Sequence, residues 1–342
     1  PLNFDRKNKG GREMNESADI RGTIQAIAPK LEQLRGEIGK KIFGQQQLID
    51  ELLLALLCRS HCILTGVPGL AKTLLIKTLA EASELQFTRV QFTPDMMPAD
   101  IIGSQIIEEL PDGRRRFEFV KGPVFTQLLL ADEINRTPPK TQSALLEAME
   151  EQQVSADGKV YPLPEPFFVL ATQNPIEQEG TYQLPEAQQD RFMFSLRIDY
   201  PDFDSELRVM CETTGSAQQK PEKAITAAEL IAFQNAIRCI PVPESVAKFA
   251  VRLVRASRPG APEKLEFVEK YVKWGAGPRA CQYLALAGKA LAALDGRFNV
   301  SEEDILKAAP PVMRHRLLLN FRAKSEGVDA DRIIQGLVKA VR

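Results

Sequence analysis

Tryptophan is nearly missing from this chain, with one in 342 residues, and histidine occurs only twice. Cys58, His61 and Cys62 lie close together, but no second half of a zinc-ligand set follows them. Cys58 therefore reads as a helix end and Cys62 as part of the next strand. The five cysteines (the others are Cys211, Cys239 and Cys281) are an odd number without a secretion signal. That pattern fits reduced thiols and a cytoplasmic location. No apolar run approaches the roughly 18 residues that a membrane helix needs, so no membrane association is expected. Pro1 to Arg21 is polar and charged with no signal-peptide core, and it opens on proline, as a tag or trimmed terminus would. A dominant charge is also absent, with 44 basic residues against 45 acidic ones. No global field gathers nucleic acid, which is not expected as a partner.

What is present is an ordinary globular composition, 44% hydrophobic and 26% charged, at a length that suggests two domains. Residues 1–20 read as a disordered lead-in. Apolar residues then recur at helical spacing over 20–38 and 46–58, and another helix is expected over 72–84. Strand-like segments fall at 61–65, 86–93, 127–131, 167–172 and 192–198, several of them separated by helices. That order predicts an α/β unit with a largely parallel five-stranded sheet and helices on both faces. Hairpins are expected at 104–120, around Leu110 to Gly113, and at 153–163, around Asp157-Gly158. Beyond Tyr200-Pro201 everything reads as helix. The expected divisions are 1–20, an α/β domain over 21–202 and a helical domain over 203–342.

Gly66-Val67-Pro68-Gly69-Leu70-Ala71-Lys72-Thr73 follows a short strand and opens a helix, the context that makes such a loop a phosphate site. Backbone N–H groups converge there on an anion, and the helix N-terminus adds partial positive charge. Lys72 is placed for the β- and γ-phosphates of ATP, or the β-phosphate of ADP, and the Thr73 hydroxyl for Mg²⁺. Ala71 replaces the usual second glycine and fits if its φ is negative. Leu128 to Ala131 is a buried-strand pattern ending in Asp132 and Glu133. Asp132 is expected to hold Mg²⁺, and Glu133 to orient and deprotonate the attacking water.

Further stretches extend the pattern: Ala131 to Arg136, Pro139 to Glu151, Ala171 to Pro175, Leu184 to Ala187 with Asp190 to Phe192, and Gly275 to Ala280. With the phosphate loop, these resemble the AAA+ ATPases, and within them the MoxR family, over roughly 21–342. The resemblance implies an AAA+ core followed by a helical lid. It gives Asn174 the role of the polar sensor that places water, and Gly44 and Gln45 a place lining the adenine pocket. Arg191 matches the arginine finger that enters a neighbour's site, an effect worth about 10³–10⁵ in rate; Arg136 is a second candidate for that interface. Arg279 matches the second sensor, which contacts the γ-phosphate. Gln189 departs from the family, where an apolar residue is usual.

The resemblance also implies a homo-oligomeric ring, a hexamer, with a chaperone-like role on client proteins carrying von Willebrand factor A domains. A chelatase-type ATPase subunit, a nucleic-acid motor and a nucleotide-gated scaffold are the alternatives. Trp274 is expected in the lid core, and His315 on a basic helix surface between Arg314 and Arg316.

Overall fold

The computed structural model describes residues 6–67, 69–109, 115–156, 158–174, 181–214, 220–262 and 265–342, and side chains from residue 20 onward, those of residues 108 and 213 excepted. Pro68, Asp157, Pro175 and the turn at 110–114 lie outside them.

The chain begins with α1 (Arg6–Gly39) and α2 (Gln46–Leu57), then β1 (Cys62–Thr65), α3 (Lys72–Ala82) and β2 (Phe87–Gln91). A short α4 (Pro98–Ile102) leads into the hairpin β3 (Gly103–Glu109) and β4 (Arg115–Lys121). Next come β5 (Leu128–Asp132), α5 (Pro139–Glu151), the hairpin β6 (Gln153–Ala156) and β7 (Lys159–Pro162), and β8 (Phe168–Gln173). α6 (Glu186–Gln189) and β9 (Phe194–Arg197) complete the α/β part. The helical part contains α7 (Phe203–Thr213), α8 (Ala227–Arg238), α9 (Glu244–Ala256), α10 (Glu266–Tyr271) and β10 (Val272–Trp274). It ends with α11 (Pro278–Leu294), α12 (Glu302–Met313), β11 (Leu318–Leu319), α13 (Phe321–Ser325) and α14 (Ala330–Val341).

The five strands expected from the apolar runs form one sheet in the order β2-β5-β8-β1-β9, every pair parallel. β5 and β8 are almost wholly apolar because both faces are covered. All strand C-termini point to one edge, and there β1 delivers the phosphate loop beside Asp132 of β5 and the residue after β8. A crevice at that edge is where open α/β sheets bind ligands.

Four expectations change, the last of them at residues 314–316. Helix α1 starts at Arg6, so the lead-in is not wholly irregular; the packed turns around Ile24 and Ile27 provide the nucleus, and propagation needs little more. The helical part also contains the antiparallel pair β10–β11, only three and two residues long, too short to show an alternation in sequence. Trp274 is 72% exposed, not part of the lid core.

The lid is fastened to the sheet through polar contacts that local sequence does not reveal. The Arg316 side chain, 2% exposed, reaches Asp190 at 2.6 Å and the carbonyls of Asp190, Phe192 and Met193, all just before β9. Arg314 reaches the Ser195 carbonyl and Asp331, and His315 hydrogen-bonds the Phe192 carbonyl. The expected basic surface at 314–316 is therefore a buried clasp. Breaking a buried pair of this kind costs about 3–5 kcal/mol, since the remaining charge has no water to solvate it.

Candidate functional site

At the C-terminal edge of the sheet, Gly66 lies so close to Ile198 that any Cβ would collide with it. Gly69 has φ +85°, open to glycine without strain. The Lys72 ammonium folds back to donate to the Gly66 carbonyl. Burial pushes its pKa down, while Asp132 and Glu133 push it up, so the lysine shares one field with both acids. Val67, Leu70 and Thr73 complete the described part of the loop.

Ala71 has φ +55°, not the negative value expected for it. The turn into α3 requires a left-handed residue, and alanine adopts that conformation at a cost of about 1–2 kcal/mol. Glu133 is also left-handed, at φ +57°, which turns the chain sharply after β5. Such strain gathers where a fixed side-chain direction matters.

The acids are held by neighbours on adjacent strands. Asp132 Oδ1 accepts the Thr172 hydroxyl at 2.6 Å, and the same hydroxyl accepts the Glu133 N–H at 2.9 Å. Asp132 Oδ2 takes Arg89 at 2.7 Å. Glu133 Oε2 accepts from Gln91 at 2.8 Å and pairs with Arg136 at 3.0 Å. Thr172, Arg89 and Gln91 were not among the residues expected to serve this site. Their signal is register: Arg89 and Gln91 alternate onto one face of β2, which pairs residue for residue with β5. Asn174 follows β8, between β5 and β1, and is buried. Gly44 and Gln45 line a cavity of about 330 Å³ with Asp199 and Tyr200, and Gln45 donates to the Asp199 carbonyl at 2.8 Å.

The partly exposed Asp132 carboxylate and the Thr73 hydroxyl are hard oxygen donors, and they fit Mg²⁺ better than a softer ion. The loop, the lysine and the paired acids together fit a nucleoside triphosphate.

Comparison with known proteins places the chain in a family. The profile of the ATPase family associated with various cellular activities (AAA) matches residues 61–194, and that of the AAA lid domain matches 265–337. Chaperone MoxR1 of Mycobacterium tuberculosis is 40% identical over 93% of this chain and 83% of its own length. Protein MoxR of Methylorubrum extorquens is 33% identical over 83% and 86%. The crystal structure of an ATPase candidate from Cytophaga hutchinsonii superposes with a TM-score of 0.87 at 41% identity, covering 96% of this chain and 98% of that one. The chain belongs to the MoxR family of AAA+ ATPases.

This MoxR-family fold does not bring all the expected residues together. Arg191 and Arg279 lie at the other edge of the sheet, where β1 and β9 begin and the Met193 N–H meets the His61 carbonyl. From His61 to Gly66 is five residues of extended chain, about 16 Å, so neither arginine sits with Lys72 of its own chain. Both converge on Glu150 at the end of α5: Arg279 at 2.8 Å and Arg191 at 3.2 Å. Arg59, Gln152, Arg238 and Tyr283 line the same pocket of about 300 Å³. Tyr283 donates to the Arg191 carbonyl at 2.9 Å. Arg279 as a ligand of its own chain's nucleotide does not match this placement, because α11 meets the strand N-termini. Sequence alone could not show which edge a lid helix meets.

Proposed function

We propose that this MoxR-family protein is a Mg²⁺-dependent ATPase assembled as a ring, a hexamer, in which each site is completed by its neighbour. The observation that carries this reading is the separation of Arg191 and Arg279 from Lys72. Two arginines with no phosphate of their own to meet lie on the side that a head-to-tail neighbour would place against the phosphate loop.

Within one chain, Lys72 and the loop N–H groups bind the phosphates. Asp132 and Thr73 would hold Mg²⁺, which would neutralise phosphate charge. Glu133 takes the proton of the attacking water, with Gln91 and Arg136 setting the direction of its carboxylate. Asn174 positions that water. The neighbour's Arg191 and Arg279 counter charge that grows in the transition state. Glu150 holds the two arginines side by side, so both approach as one unit.

Such a machine would act as a cytoplasmic chaperone. The name of the Mycobacterium tuberculosis relative supports that role. The family resemblance extends it to clients with von Willebrand factor A domains.

The test is ATP turnover against protein concentration, for wild type and for mixtures with Arg191→Ala. Specific activity should rise with concentration and fall below the proportional average as mutant is mixed in. Concentration-independent activity with simple averaging would refute the shared site. Stimulation by DNA would instead favour a nucleic-acid motor.

A further inference from the structure

Helix α7 presents an apolar stripe that none of the described residues covers. Phe203, Leu207, Met210 and Cys211 follow helical spacing and are all exposed, Phe203 at 79%; none of the described α7 side chains is buried. The helix is anchored at one end, where Ser205 packs on Gly44 and Arg208 lies 4.4 Å over the Phe43 ring. It therefore rises directly from the nucleotide edge, next to Tyr200 of the base-side cavity. From Asp202 to Thr213 it carries four acidic residues against one arginine.

At the opposite edge is a second uncovered apolar group. Trp274 stands on β10, five residues before Arg279, in a hollow it shares with Asp190 and Gly277. Asp190 faces both Arg279 and Arg316, so the tryptophan and the two trans-acting arginines belong to one rigid surface. Lys273 is exposed beside it; residues 266–274 and 321–326 hold four basic and three acidic residues, and Glu186 and Asp190 share the hollow.

We propose that α7 is the docking helix for the Trp274 face of a second copy of this chain. The inference rests on the shared-site reading. Whatever carries Arg191 and Arg279 to a neighbour's phosphate loop carries Trp274 with it, and α7 flanks that loop. One surface is apolar and acidic, the other apolar with the exposed Lys273 beside the tryptophan, and their surroundings, Tyr200 and Asp190, lie after and before β9. Two different surfaces of one chain that meet form a heterologous interface, which gives a ring where the rotation between copies closes. Burying both groups removes two exposed apolar surfaces from water, and the opposite charges set the register.

The single tryptophan makes the contact directly readable. Full-length protein, with Mg²⁺ and a non-hydrolysable ATP analogue, is followed by sedimentation velocity and by acrylamide quenching of Trp274. Assembly should shift the emission to shorter wavelength and lower the quenching constant several-fold. Leu207→Glu with Met210→Glu, on a helix outside the core, should abolish both changes while leaving analogue binding by the isolated protomer intact. As a second measurement, Lys273→Cys in a Cys239→Ser background should crosslink to the native Cys211 of a neighbour and give a ladder beyond the dimer. Assembly with Trp274 still fully quenchable and no ladder would overturn the docking surface and leave the ring standing. Normal assembly of the α7 variant would likewise overturn it and assign α7 to a client. No assembly by wild type would overturn the ring reading and the docking surface together.

Discussion

The hydroxyl of Thr172 donates to Asp132 at 2.6 Å, and through its own lone pair it receives the Glu133 N–H at 2.9 Å. One buried side chain on β8 thus fixes both acids at the end of β5, Asp132 by its carboxylate and Glu133 by its backbone.

Replacing that hydroxyl should therefore disturb chemistry more than folding. Thr172→Val keeps the shape but leaves a donor unpaired, a loss of about 1–3 kcal/mol. Steady-state ATP hydrolysis should show kcat reduced by about tenfold with KM little changed, and Thr172→Ser should recover most of it. An unchanged kcat in Thr172→Val would remove the residue from the site.

Glu150 ties a core arginine to a lid arginine, and its removal should act across the subunit boundary. With Glu150→Gln, ATP binding by the isolated protomer should match wild type, measured by calorimetry. Turnover at high protein concentration should fall by about tenfold or more, since small misplacements of positioning groups are that costly. Equal losses in binding and turnover would instead point to a purely structural role.

Ala71 holds a left-handed backbone that glycine adopts freely. Ala71→Gly should raise stability by about 0.5–1 kcal/mol, the relieved strain being partly offset by a more flexible unfolded chain. Urea unfolding without nucleotide measures this, and a loss of stability would contradict the loop geometry.

The two histidines should make the protein acid-sensitive. His61 accepts the Val169 N–H on Nδ1 at 3.0 Å, so its proton sits on Nε2, 3.2 Å from the Met149 carbonyl. Burial pushes its pKa down to about 4, and burial together with Arg316 pushes that of His315 down as well. For His61 the folded value lies below the ordinary value of about 6.5, so its contribution is complete above that pH. It is lost as pH falls from there toward 4, at no more than about 1.4 kcal/mol per pH unit. Unfolding free energies measured between pH 7.5 and 5 should decline accordingly, and His61→Gln should flatten the decline.

The candidate site residues were legible because a phosphate-binding chemistry would constrain short, contiguous stretches. Gly66 to Thr73 must bend a loop around an anion, and Leu128 to Glu133 must bury a strand and end in acids. The apolar runs likewise marked the five strands; β1, β5 and β8, covered on both faces, have no polar alternation to hide them, while the edge strand β2 alternates. Thr172, Arg89 and Gln91 were less legible because their roles depend on which strands become neighbours, and pairing β2 with β5 and β5 with β8 is a long-range outcome.

The sequence by itself determined the parallel α/β core, the phosphate loop, the acid pair and the family, all written in local spacing and residue type. Tertiary structure decided the rest. It put Arg279 with Arg191 on Glu150, at the edge opposite Lys72, and buried Arg316 while leaving Trp274 exposed. Those outcomes follow from where α11, α12 and β10 pack, and packing is settled by apolar surface and buried pairs contributed from distant parts of the chain. No local pattern carries that information.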